Sequence, residues 1–210
     1  MNKEGYTRAA KFAETETVIE RSRFIGYASP SKSEDEAREF IEKIKKLHPF
    51  ATHNCYAFIA DNGLIARFSD DGEPQGTAGM PILEVIKNRG LVDTVVVVTR
   101  YFGGIKLGAG GLVRAYSGAA AAALNAAGEE KFVLSDILDI RFSYEKYSAF
   151  LRFTEKFTAK TLSLDFQEDV SIKLAVPSSS DFSEKLFDFF AGKVAISRLN
   201  EEFISFEDNR

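Results

Sequence analysis

Apolar side chains recur along this chain at two periods, and the switches between them mark out short elements. Between residues 14 and 29, Val18, Glu20, Ser22 and Phe24 alternate with Ile19, Arg21, Arg23 and Ile25, which predicts extended structure as a hairpin or a bent strand. Ser33 followed by Glu36 is a capping-box spacing. Ala37, Phe40, Ile41, Ile44 and Leu47 then recur at helical intervals as far as His48-Pro49, where a helix stops. Residues 53–60 and 64–68 are apolar runs joined by Asp61-Asn62-Gly63, a hairpin signal. A helix capped by Thr77 or a neighbour is expected next, with Pro81 in its first turn, Ile82, Val85 and Ile86 inward, and an end near Gly90. Residues 93–100 are apolar on both faces and belong in the middle of a sheet. Residues 109–127 are mostly alanine, with Leu112, Tyr116, Ala119 and Ala123 on one face. Side chains that small predict a helix lying very close to the sheet.

The pattern changes at Gly128-Glu129-Glu130-Lys131, read as a linker between a first domain over 1–131 and a second over 135–210. The second reads as a strand (134–142), a helical stripe (Tyr147, Phe150, Leu151, Thr154, Phe157) and a hairpin (161–166 and 170–176). A second stripe (Phe182, Leu186, Phe189, Phe190) and a last strand (194–206) complete it. This β-α-β-β-α-β order is the ferredoxin-like one, so the expected fold class is α+β.

Composition narrows the function more than the fold. At 210 residues the chain suits one large domain or two small ones. Its longest small-apolar run, residues 118–127, is far short of the ~20 residues that span a bilayer. The polar opening lacks the apolar run of an export signal, and the single Cys55 fits a reducing cytoplasm. The net charge of −4 is uneven: 17 basic and 17 acidic residues in 1–134, 10 basic and 14 acidic in 135–210. Neither half has the basic surplus of a duplex binder, so any nucleic-acid role rests on a local patch. The second half is a poor RNA reader, since residues 170–176 offer no aromatic on which a base could stack.

The best patch is the loop after residues 93–100, with Arg100, Tyr101, Gly103, Gly104, Lys106, Gly108 and Gly110, and Arg114 just beyond it. A strand end, a Gly- and Lys-bearing loop and a helix N-terminus together suit an anion, because free backbone N–H groups and the helix dipole favour negative charge. The spacing is neither a Walker A loop nor the dinucleotide fingerprint. A tight turn under a close-packed helix explains the same glycines. An earlier loop sets Arg67 beside Asp70, Asp71 and Glu73, which could meet a partner or a hard cation, form an ordinary turn, or pair with Arg100 or Arg114. Two histidines and one cysteine are too few for a structural zinc site. Cys55 shares a strand face with His53, Ala57 and Ile59 and reads as an inert buried thiol, and His48 as a solvated or helix-dipole partner.

Three blocks, residues 51–58 (ATHNCYAF), 67–83 (RFSDDGEPQGTAGMPIL) and 99–117 (TRYFGGIKLGAGGLVRAYS), resemble the signature of the IMPACT family in its bacterial, YigZ-like two-domain form. The resemblance implies a first domain similar to the second domain of ribosomal protein S5. It implies a ferredoxin-like second domain similar to the last domain of elongation factor G. It further implies a non-enzymatic role in translational or stress regulation, without a cofactor. On this reading the chain binds RNA, the ribosome or a translation-related protein through Arg67 and the loop at 100–114. Two alternatives stand beside it: an enzyme for a small anionic substrate with Mg²⁺ on Asp70 and Asp71, and a purely protein-binding scaffold.

Overall fold

The computed structural model describes residues 4–207, so residues 1–3 and 208–210, the outer ends of the two expected domains, lie outside the described residues. The chain divides into two compact units, Tyr6–Glu130 and the part from Lys131 onward, with which Glu4 and Gly5 are grouped. The described residues form a mixed α/β fold with two sheets and five α-helices.

The first unit holds β1 (Gly5–Ala9), β2 (Ala13–Ile19), β3 (Ser22–Pro30), α1 (Glu34–Leu47), β4 (His53–Ala60), β5 (Ile65–Ser69), α2 (Gly79–Asn88), β6 (Thr94–Tyr101) and α3 (Gly108–Ala127). Five of these strands make one antiparallel sheet in the order β2-β3-β6-β4-β5. The all-apolar β6 lies at its centre, as the pattern predicts. Val96 and Val98 face the core under α2 and α3, while Val95 and Val97 face the core under α1. The alanines of α3 do bring it hard against the sheet: a Cβ on Gly26 would stand 2.6 Å from the Ala119 carbonyl oxygen.

The local signals hold in most places. Residues 14–29 form the β2–β3 hairpin, turning on Glu20 and Arg21 with φ of 46° and 63°. The Ser33 hydroxyl accepts the Glu36 N–H at the start of α1. The cap of α2 differs from expectation. Thr77 turns its hydroxyl onto the Pro74 carbonyl, and Asp70 reaches in from the preceding loop instead. Its Oδ1 accepts the N–H groups of Ala78 (3.0 Å) and Gly79 (2.8 Å), and its Oδ2 that of Gly76 (2.8 Å). Strand β1 has no counterpart in the hydrophobic pattern. It shows no apolar alternation and is tied by hydrogen bonds, from Val92 N–H to the Thr7 carbonyl and from Ala9 N–H to Thr94 Oγ1.

The second unit takes up β7 (Glu129–Phe142), a 3-10 turn (Tyr144–Lys146), α4 (Tyr147–Thr154), β8 (Lys160–Phe166), β9 (Val170–Pro177), α5 (Phe182–Phe189) and β10 (Ala195–Ser205). Its strands run β10-β7-β9-β8, all antiparallel, in the expected β-α-β-β-α-β sequence. Phe150, Phe153, Phe182 and Leu186 of the two helices pack on Leu138, Ile140, Ile172 and Leu174. Leu151 and Phe189, expected in the apolar stripes, are instead half exposed.

Candidate functional site

The acidic loop between β5 and α2 uses its carboxylates inside the first unit. Asp70 caps α2 as described, and Asp71 Oδ2 accepts the Asn54 N–H at 2.6 Å. Glu73 is buried, with its Oε1 taking Arg100 Nη1 at 2.6 Å and the Tyr116 hydroxyl at 2.8 Å. Its other oxygen stands 3.8 Å from His53 Nε2. His53 Nδ1 lies 2.8 Å from the Asp71 carbonyl. A carbonyl can only accept, so Nδ1 carries the proton. Among the described residues no three His, Cys, Asp or Glu side chains gather as a metal ion would require. Cys55 donates to the Asp70 carbonyl, and burial pushes its thiol well above the ordinary range. Such a thiol is not a nucleophile.

Arg100 is the main correction to the expected anion site. It is 5% exposed, so its guanidinium does not face solvent. Besides Glu73 it reaches Ser22 Oγ at 3.3 Å, and it lies between the rings of Phe24 (5.3 Å) and the half-exposed Phe102 (5.4 Å). Its charge is already answered by Glu73, which withdraws it from phosphate contact. Residues alternate across a strand, so Tyr101 points to the opposite face, toward α1. There the Tyr101 hydroxyl meets His48 Nδ1 at 2.9 Å, and the other ring nitrogen meets the Tyr27 hydroxyl at 2.5 Å. His48 is therefore a bridge between two tyrosines rather than a solvated residue. Burial lowers its pKa and pushes that of Tyr27 up to about 12. Arg67, cross-strand from Phe58, lies on the α1 face as well and stands 3.9 Å from Glu34. Neither Arg67 nor Tyr101 joins the glycine loop.

What remains at the loop is smaller and more exposed. Gly103 runs so close to the β2–β3 turn that a Cβ there would lie 2.1 Å from the Arg21 carbonyl carbon. Its N–H donates to Ser22 Oγ at 3.1 Å, the oxygen that Arg100 also contacts. Gly104 and Gly108 hold φ of 87° and 69°, and Gly110 is exposed in the first turn of α3. That turn has no side-chain cap and no acidic residue, so no side chain answers its leading N–H groups. Lys106 and Arg114, both exposed, border a cavity of about 480 Å³ beside it, with Ile19, Glu20, Ile105 and Leu107. Among the described residues neither cation is in an ion pair. Of the residues that hold the buried network together, Tyr116 was legible as part of the inward face of α3, whereas Ser22 carried no sequence signal beyond its polarity.

This arrangement defines a class: an α/β unit in which a glycine loop and an acidic loop are joined by a buried ion pair. Residues 20–124, which contain both loops, match the Impact N-terminal domain. The chain is 36% identical over 189 residues to an IMPACT family member of Haemophilus influenzae, covering 88% of this chain and 92% of that one. It is 34% identical over 188 residues to YigZ of Escherichia coli, covering 87% and 92%. With YvyE of Bacillus subtilis it shares 53% identity over 140 residues, 66% of this chain but only 64% of YvyE's own length. The chain belongs to the IMPACT family. A solved structure described as a hypothetical protein has a TM-score of 0.60 and 32% identity, covering 95% of this chain and 99% of its own. No helix among the described residues is long and apolar enough to cross a membrane.

Proposed function

We propose that this IMPACT family member is a binding module of the cytoplasmic translation apparatus, and that its first unit contacts RNA phosphates without catalysing a reaction. The observation that carries the reading is that Lys106 and Arg114 border one open cavity beside the uncapped start of α3. Two cations and free backbone N–H groups suit successive phosphates, with weak sequence preference. The suppressed Cys55 thiol and the fully engaged acidic loop favour binding over turnover. The finer fold likeness belongs to the same reading: a first unit like the second domain of ribosomal protein S5, and a ferredoxin-like second unit like the last domain of elongation factor G. The strand order β10-β7-β9-β8 supports the second likeness, and superposition on solved structures of those domains tests both.

Single-stranded RNA binding is to be measured between 50 and 200 mM salt, roughly the range over which phosphate contacts lose affinity steeply. Affinity is expected to fall with salt. The double variant Lys106→Gln/Arg114→Gln is expected to flatten the log–log slope by about 1.4, or about 0.7 for each phosphate no longer neutralised. An unchanged slope, or no RNA binding at the lowest salt, would sink the reading. Ribosomal particles that co-sediment and are released by salt or RNase support it, whereas a partner that survives both makes this a protein-binding scaffold.

A further inference from the structure

We propose that the first unit carries a second ligand site, on the α1 face of its sheet, that takes a small amphiphilic carboxylate. The site stands apart from the glycine loop and does not depend on the RNA reading. A cavity of about 360 Å³ opens there, lined by Phe12, Tyr27, Phe40, Ile44 and Leu47, with Lys43 and Lys46 beside them. Its volume lies at the lower end of the ~300–1,000 Å³ typical of small-molecule sites. Two fused rings or a chain of about ten carbons suits such a space.

The walls are aromatic and only partly covered. Phe12 stacks on Tyr27 at 6.4 Å and meets Phe40 edge-on at 6.2 Å. Phe12 and Leu47 remain 54% and 61% exposed, which leaves apolar surface on both flanks of the opening. The Tyr27 hydroxyl is engaged by His48 at 2.5 Å, so Tyr27 offers a ligand its ring rather than a free polar group.

The charge in the lining comes from α1. Lys43 and Lys46 form no ion pair among the described residues, although their neighbour Lys45 pairs with Glu42 at 3.5 Å. Two free ammonium groups beside an aromatic box select an apolar body with an anionic head. No acid is in the lining: Glu14 lies cross-strand from Tyr27, Glu39 stands one turn before Lys43 on α1, and Glu42 is paired with Lys45. An uncharged apolar ligand would leave the lysines unused, and a bare inorganic anion would leave the box empty.

The test uses the full chain, 2-naphthoate as probe and 2-naphthalenemethanol as its uncharged counterpart, followed by calorimetry and NMR shift mapping. Naphthoate is expected to bind saturably, with shifts at Phe12, Phe40 and Leu47. Lys43→Gln/Lys46→Gln is expected to weaken it roughly tenfold, the scale of one charged hydrogen bond, and to leave the alcohol unchanged. Phe12→Ser should weaken both ligands. All three substituted positions are exposed, so the fold tolerates them. Lack of saturation at millimolar naphthoate, or an affinity indifferent to the lysines, overturns the proposal. So does a dimer in sedimentation velocity that Phe12→Ser dissociates, because the face would then be an interface between copies.

Discussion

Glu73 and Arg100 meet at 2.6 Å with side chains only 4% and 6% exposed, and each would be a serious liability alone. A buried charge that loses its partner keeps the full penalty of having left water. Glu73→Gln is therefore expected to lower unfolding stability by about 3–5 kcal/mol in urea titration, since Arg100 stays charged and buried. A double replacement with apolar residues, Glu73→Leu/Arg100→Met, should retain more stability than Glu73→Gln. Equal stability of Glu73→Gln and the wild type would mean that the pair is solvated in solution. The sequence displays Arg100 at a strand end beside glycines, the usual setting of an anion contact. It cannot display the cover, which depends on Phe102 lying over the guanidinium and on Gly103 closing against Arg21. The competing expectation, that the acids of one loop pair with an arginine of the other, is what Glu73 and Arg100 do.

Among the elements, α2 depends most on something outside itself. Its leading N–H groups are answered by Asp70, eight and nine residues upstream of the atoms it caps. Asp70→Ala is expected to lower stability by about 1–2 kcal/mol, and hydrogen exchange should quicken at Gly76, Ala78 and Gly79 before the rest of the first unit. Uniform exchange along the unit would rule out a local cap. The contrast with α1 explains what was legible. Ser33 and Glu36 are neighbours, so a spacing rule finds them, whereas Asp70 meets Ala78 only after a loop has folded back. The same reasoning covers the strands. β6 betrays its central position because both of its faces are apolar. β1 is held by main-chain contacts and one threonine hydroxyl, and main-chain contacts leave no mark on composition.

Over the molecule as a whole, strand alternation decided which expected site residues could act together. Arg100 and Tyr101 are adjacent in sequence and fall on opposite faces, and Arg67 follows Tyr101 to the α1 side. Lys106 and Arg114 stay together because a loop and the first turns of a helix do not alternate. That separation left one surface with available charge and another with uncovered apolar area, each in the first unit.

The cavity at the glycine loop also holds Glu20, a non-glycine residue at φ 46° in the β2–β3 turn. A carboxylate beside two cations subtracts from the field that draws in a polyanion, and rim charges act mainly on arrival. Stopped-flow mixing with single-stranded RNA should show faster association for Glu20→Gln, most of all at low salt, and identical rates would discharge Glu20 from this role. The consequence is one of timing: on the proposed reading Glu20 delays a strand's arrival and leaves the length of its stay almost unchanged.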